Sequence, residues 1–296
     1  MFKGTYVFKE NGIEIGRSQN LITDNGRDVI LRYIAGATQS WASNLAIGAM
    51  PIQPTQSDTD LNFETARVPI DFKTYRNAIS PDPDLIIVRG TLPQNLYANI
   101  YEVGVYPDSS STSLSAKSNA ILADFDNISN WNVSAGNVSI TNFMPQAENS
   151  PRIGAHSVEL DPETIYENAT VSFDIGGYTP INNLEVLLYN TVEGVLTITL
   201  TDLLGASMSF TFNLVTEPGY QVLSAPFSPG AHLFETIDKI SISTDTTAIA
   251  TIDAIKATTR NEFSTKDYIV SKSALTTPIA KKYGVPLDIE YSIQLL

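Results

Sequence analysis

Between residues 171 and 243, apolar and polar side chains alternate one for one in four separate runs. Val171, Phe173 and Ile175 alternate with Ser172 and Asp174, and Leu196, Ile198 and Leu200 with Thr197, Thr199 and Thr201. Met208, Phe210, Phe212 and Leu214 alternate with Ser209, Thr211 and Asn213, and Ile240 and Ile242 with Ser241 and Ser243. A period of two places every apolar side chain of a strand on one face, so each run is a strand with one buried and one wet side. Such strands are antiparallel and stack as sheets over a shared core. Asp202 to Gly205 supplies the turn between two of them. Without helical periods between the runs, the pattern argues for a sandwich or a jelly roll.

Composition sets the outer limits. The chain has 296 residues, of which 43% are hydrophobic and 17% charged, enough apolar material for a core in each of two domains. Its formal net charge is −14, and attraction to phosphate backbones needs clustered Lys and Arg, so nucleic acid is not an expected partner. There are no cysteines, which removes disulfides, thiolate metal sites and thiol nucleophiles. The histidines are His156 and His232, and neither has a second His at metal spacing or a motif-embedded Ser. Asp82-Pro83-Asp84 pairs two carboxylates, but the proline between them reads as a turn. The N-terminus lacks a signal-peptide pattern and no apolar run is long enough to span a bilayer, so neither secretion nor membrane insertion is expected.

The opening of the chain has a different texture. Gly4 to Phe8 and Ile13 to Arg17 read as a hairpin about Glu10-Asn11-Gly12. Thr23 or Asp24 can cap a helix carrying the stripe Val29, Ile30, Tyr33 and Ile34, with Gly36 as its stop. Leu45 to Gly48, Arg67 to Phe72, Asp84 to Leu92 and Ala98 to Tyr106 read as strands, the last two as a meander about Pro93-Gln94-Asn95. Pro51 to Asp60 is a polar loop, and the Ser-rich run Ser109 to Ser118 is a linker. After Arg260, strands are expected at Phe263 to Ser271 and Leu287 to Leu295, joined through Pro278 and Tyr283-Gly284-Val285-Pro286. These residues are too few for a domain and are expected to close an open sheet edge of the first module. The fold class expected is mainly β: a β-rich N-terminal module with one helix over 1–113, completed by 260–296. A linker at 114–119 then leads to an inserted antiparallel jelly roll over 120–259.

Two resemblances sharpen this reading. Asn20-Leu-Ile-Thr-Asp-Asn-Gly26, the strand Leu45-Ala-Ile-Gly48, the loop Pro54 to Thr59 and the strand Ile100-Tyr-Glu-Val-Gly-Val-Tyr106 resemble the opening of tailed-phage virion proteins. The resemblance covers roughly the first third and the hydrophobic C-terminal strand. It implies a particle component, localised to the virion after assembly in the host cytoplasm. It also implies contacts with other virion proteins and with copies of itself. Tail, neck, baseplate and capsid-surface positions all remain open. Asp124-Phe-Asp126, Trp131, Ala155-His-Ser-Val-Glu-Leu160 and Ala250-Thr-Ile-Asp-Ala-Ile-Lys256 resemble a carbohydrate-binding-module jelly roll.

That second resemblance implies a structural calcium held by Asp126 and Asp253, with Asp126 standing where the family has Glu. Calcium takes six to eight oxygens, for which carboxylates and carbonyls are suited. Sugar rings stack on exposed aromatics, so Tyr166, Tyr178, Tyr189 and Tyr220 are the glycan-contact candidates, and Trp131 is assigned to the core. A host cell-surface glycan is then the small-molecule partner. No catalytic constellation is visible, so the reading is a structural, non-enzymatic protein. The alternative is a carbohydrate-active enzyme or an accessory glycan-binding protein.

Overall fold

The computed structural model describes residues 2–38, 40–76, 84–107, 119–147, 150–169, 173–174, 183–227, 236–258 and 268–295. Residues 109–118 of the expected linker, 263–267 of the strand expected at Phe263 to Ser271, Val171, Ser172 and Ile175 of the first alternating run, Tyr178, His232 and Asp82-Pro83 lie outside the described residues. The chain is mainly β and divides into two compact units, Met1–Ala116 with Glu262–Leu296, and Lys117–Asn261. Among the described residues no helix is long and apolar enough to cross a membrane.

The first unit begins with β1 (Phe2–Glu10), β2 (Ile13–Gln19), β3 (Leu21–Ile22), α1 (Asp24–Ile34) and β4 (Asn44–Gly48). It continues with β5 (Glu64–Pro69), β6 (Phe72–Arg76), β7 (Leu85–Leu92) and β8 (Ala98–Tyr106). The second unit contains β9 (Asn119–Ala123), β10 (Trp131–Ala135), β11 (Val138–Asn142), β12 (His156–Leu160), β13 (Ile165–Asn168) and β14 (Phe173–Asp174). Its later strands are β15 (Asn183–Val192), β16 (Gly194–Asp202), β17 (Ser207–Leu214), β18 (Glu217–Pro226), β19 (Thr236–Thr244) and β20 (Ile249–Thr258). The chain then returns to the first unit as β21 (Ser271–Lys281) and β22 (Leu287–Leu295).

In the first unit one sheet has the order β2-β1-β22-β7-β6 and the other β3-β21-β8-β4-β5. The last strand thus lies between the first and the seventh, Tyr6 opposite Tyr291 and Tyr291 opposite Val88. Tyr6, Phe8, Leu92, Ile289 and Tyr291 from one sheet share a core with Leu45, Ile47, Ile100 and Val105 from the other, and with Val29 and Ile30 of α1. Thr23 is the helix cap: its Oγ1 accepts from the Gly26 N–H at 3.0 Å and donates to the Ile269 carbonyl at 2.5 Å. Asn11 and Gly12 both have positive φ, the geometry that a tight two-residue hairpin turn demands.

Three expected details differ. The strand at Arg67 to Phe72 is two strands, because Pro69 has no N–H to continue the ladder and the chain bends at Ile70-Asp71. β7 and β8 form no meander: β7 pairs with β6 and β22, whereas β8 pairs with β4 and β21 in the other sheet. β8 is buried along its whole length and takes a central position that a hairpin partner of β7 could not. β21 runs through Pro278 where a connection was expected; the pairing register shifts between Ala274 and Ile279, so the proline falls where the ladder is interrupted.

The second unit is a two-sheet sandwich, β10-β13-β19-β16-β17 with β14 beside β19, over β11-β12-β20-β15-β18 with β9 beside β20. In the three runs whose side chains are described, the alternation has its expected result. Leu196, Ile198, Leu200, Phe210, Phe212, Ile240 and Ile242 face inward with Val186, Leu188 and Ile252 from the opposite sheet. Each fully buried aliphatic side chain of this kind contributes about 1.5–3 kcal/mol. The hydroxyls face outward and bond across strands, Thr199 to Ser209 at 2.8 Å and Thr201 to Ser207 at 2.9 Å.

Candidate functional site

The chemistry-bearing residues of the second unit gather where the segment 150–156 crosses the sheet containing β15, β18 and β20. Leu184, Val186 and Leu188 of β15 point into the core, which leaves Glu185, Leu187 and Tyr189 on the opposite face. The β15–β20 register runs Leu187 to Ala254 and then Leu188 to Ile252, so Asp253 is the extra residue of a bulge. Bulges re-aim side chains, and this one serves a carboxylate.

Asp253 is fully buried. Its Oδ2 accepts the Arg152 N–H at 2.9 Å, while Oδ1 has no hydrogen-bond partner. Burial pushes its carboxyl up to about 8, against the opposing pull of the Arg152 and Ile153 N–H groups and the Arg152 charge. Asp126 engages the other end of the same segment, its Oδ1 accepting the Ala155 N–H at 2.5 Å. Partial burial raises its pKa, with the Asp124 charge adding to the effect. Gly154 lies between these anchors at φ 69°, and a Cβ there would sit 2.2 Å from the Asp124 carbonyl oxygen and 3.0 Å from Asp126 Oδ1. Only glycine lets the segment approach so closely. His156, next along, has a buried Nδ1 without a partner.

Among the described residues no group of three or more His, Cys, Asp or Glu side chains is placed to hold a metal ion. A calcium ion at this crossing would have to draw on a mixed donor set. Asp253 Oδ1 is an orphaned buried acceptor, Asp126 and Asp124 flank the same crossing segment, and backbone carbonyls would complete the shell.

The aromatic candidates separate. Tyr166 is 3% exposed and stacks on Trp131 within the core, ring centroids 4.9 Å apart, so it offers no face to a ligand. Period two explains it: Tyr166 pairs with Ile242 and shares that residue's inward face. Tyr189 and Tyr220 stand directly opposite one another on β15 and β18, with centroids 4.8 Å apart and planes at 43°. The Arg152 guanidinium lies 3.7 Å from the Tyr220 centroid, and the Tyr220 hydroxyl donates to the Ser150 carbonyl at 2.6 Å. One face of Tyr220 is thereby used, and Tyr189, half-buried, is the ring left at the rim. Further along this face Glu185 and Lys256 form a buried cross-strand ion pair at 3.0 Å.

Arg152 was not among the residues singled out in the sequence. It is the only Lys or Arg between Lys117 and Lys239, and that isolation was the available signal. It links both halves of the site: its backbone holds Asp253 and its side chain covers Tyr220.

The sequence matches no family model and no curated protein. Solved structures similar to part of the chain include a phage tailspike domain and carbohydrate-binding modules. The enzymatically active domain of bacteriophage CBA120 tailspike protein 4 is 18% identical at TM-score 0.32, covering 46% of this chain and 20% of its own. A family 6 carbohydrate-binding module is 9% identical at TM-score 0.33, covering 48% of this chain and 94% of its own. The family 11 module from Clostridium thermocellum, solved with a mixed-linked tetrasaccharide, is 12% identical at TM-score 0.30, covering 47% and 94%.

Proposed function

We propose that this chain is a non-enzymatic structural component of a tailed-phage particle. The unit built from both chain ends docks it to other virion proteins and to copies of itself, and the inserted sandwich contacts a host-surface glycan. The observation that carries the glycan reading is the Tyr189–Tyr220 pair on the face opposite the core, braced by Arg152. A paired aromatic rim suits a sugar, whose C–H faces stack on rings, and the guanidinium behind Tyr220 holds that ring in place. Repetition of the chain in a particle would let weak single contacts add through effective concentration.

A glycan array probed with the full chain tests this. Binding to a bacterial surface polysaccharide is expected, with Tyr189→Ala weakening it on the order of tenfold. A silent array, or unchanged binding by that variant, overturns the glycan reading. Incorporation of a chain lacking residues 120–259 into particles tests the docking role, and its exclusion overturns it.

Asp253 and Asp126, with carbonyls of the Asp124 and 152–155 segments, would hold a calcium ion. Bound there, the ion would neutralise the buried carboxylate and fix the segment that carries Arg152. Millimolar calcium is expected to raise the melting temperature of the wild type and to leave Asp253→Asn unmoved. Equal response of both proteins overturns the assignment.

A further inference from the structure

The most densely wired polar cluster lies in the first unit and plays no part in the site above. On the face of the β21–β8–β4 sheet turned toward the loop 49–63, Lys272 stands opposite Gly104, and Glu102 opposite Gly48 and Ala274. The glycines create the space: a Cβ on Gly48 would fall 2.5 Å from Glu102 Oε1, and one on Gly104 would strike Ile269. Glu102 is fully buried and accepts the N–H groups of Met50 at 3.3 Å, Asn62 at 2.9 Å and Phe63 at 2.9 Å. Lys272, 1% exposed, donates to the Asp60 carbonyl at 3.1 Å. Its Nζ is 3.0 Å from Asp58 Oδ2 and 3.6 Å from Glu102 Oε2. The Asp58 carboxyl also receives the Thr55 backbone N–H on Oδ2 at 3.2 Å and the Thr55 hydroxyl on Oδ1 at 2.5 Å.

A lysine with its nitrogen in contact with a carboxyl, beside a second buried carboxyl, is the set of groups that an amide-forming condensation requires. We propose that Lys272 and Asp58 join in an intramolecular amide cross-link, with Glu102 relaying the proton. The Lys272 ammonium first passes a proton to Asp58 Oδ2 across their contact, giving a neutral amine and a neutral acid. That transfer runs against the bonds that hold the Asp58 carboxyl below its ordinary range, so the fixed contact is what makes the neutral pair accessible. The amine lone pair then forms a bond to Asp58 Cγ, and the carbonyl π pair moves onto Oδ1, which the Thr55 hydroxyl stabilises. Glu102 removes one proton from the nitrogen and returns it to the Oδ2 hydroxyl. That hydroxyl departs as water while the carbonyl re-forms. The balance is one ammonium and one carboxylate converted to one amide and one water, with no external reagent. The fold supplies what free lysine and aspartate lack, fixed proximity, with the lysine and the relay carboxyl buried. Burial holds the Glu102 carboxyl above the ordinary carboxylate range, closer to a group that both takes and gives a proton.

Intact mass spectrometry of the purified full chain reads the result. The wild type is expected to weigh one water less than its sequence requires, and a tryptic digest to yield a branched peptide joining Asp58 to Lys272. Lys272→Arg keeps the charge but cannot form the amide, and Asp58→Ala alters a part-exposed loop residue; both are expected at full mass. Glu102→Gln is expected to accumulate uncross-linked chain. A nick anywhere between residues 58 and 272 leaves the wild-type pieces joined on a denaturing gel and lets those of Lys272→Arg separate. Full mass in the folded wild type, with Lys272 recovered in a linear peptide, overturns the proposal. Loss of ammonia with a branch at Asn62 overturns the choice of Asp58, and unchanged cross-linking in Glu102→Gln overturns the relay.

Discussion

The two units solve the closure of a β core in opposite ways. The sandwich is closed by side chains that repel water: the core shared by its two sheets is aliphatic and aromatic, and the buried charges of Glu185, Lys256 and Asp253 lie on the sheet face turned away from that core. The unit made from the chain ends is closed by side chains that need partners. Tyr6 donates to Ser271 Oγ at 2.9 Å, Asn20 bonds both Ser271 and Tyr291, and Glu102 and Lys272 pin a loop from beneath. The first unit joins strands from opposite ends of the chain, β1 with β22 and β3 with β21. Hydrophobic contact is undirected and leaves register loosely specified, whereas hydrogen bonds between particular atoms specify it. The inference is that polar pins are concentrated where distant segments must find one alignment.

The strongest way to break the comparison is to remove a pin. Glu102→Ala strands the N–H groups of Met50, Asn62 and Phe63 and leaves Lys272 beside fewer anions. A loss of about 3–5 kcal/mol is expected for the first unit in urea unfolding, with the sandwich transition in place. Ile198→Ala is the matching cut in the sandwich: a fully buried side chain in a continuous apolar core, for which about 2–5 kcal/mol is expected, confined to the second unit. Should either substitution shift both transitions equally, the two units are not separate in stability.

A smaller effect distinguishes pin from core by pH. Burial raises the pKa of Glu102 against the lowering by Lys272 and the loop N–H groups. The folded state therefore binds a proton more readily than the unfolded chain does. Stability from this group is full below the ordinary carboxylate range and is lost as pH rises toward the folded value. As a free carboxyl, before any cross-link, Asp58 has the opposite sign: burial raises it, but the bonds from Thr55 and Lys272 outweigh that and leave it lowered, so its contribution is lost as pH falls. Measured as the difference between wild type and Glu102→Gln, stability is expected to decline with rising pH, by no more than about 1.4 kcal/mol for each pH unit crossed. A flat difference would mean that Glu102 titrates alike in both states.

The contrast also explains what was legible in the residues. Ile198 and Thr199 announce their faces because period two is local, and Thr23 announces the helix because a cap is local. The placement of β7 and β8 in different sheets was hidden: both read as good strands, and nothing near Pro93 records that β8 pairs with β4 and β21 instead. Tyr166 and Tyr189 look equally suited to a ligand in the sequence. Only the pairing of Tyr166 with Ile242 commits it to the core, while Tyr189 follows the inward-facing Leu188 and so falls on the other face of β15. The carboxylates Asp126 and Asp253 were reached only through the resemblance to a carbohydrate-binding module. The arginine between them became significant only once the segment 150–156 was seen to cross the sheet.

The smallest expected effect is the most exacting on register. Thr199 follows Ile198 directly, yet it lies on the outer face, where its hydroxyl bonds the Ser209 hydroxyl across the strand pair. Thr199→Val retains the β-branched shape and gives up one exposed hydrogen bond, so a change within about 0.5 kcal/mol is expected in the same unfolding measurement that registers Ile198→Ala. The ratio of the two costs measures how firmly β16 holds its alignment between β17 and β19. A slip of one residue would exchange the two faces, burying Thr199 and exposing Ile198. Comparable costs at the two positions would therefore mean that the strand samples both registers, and the assignment of an outer hydroxyl-bearing face would fail with it.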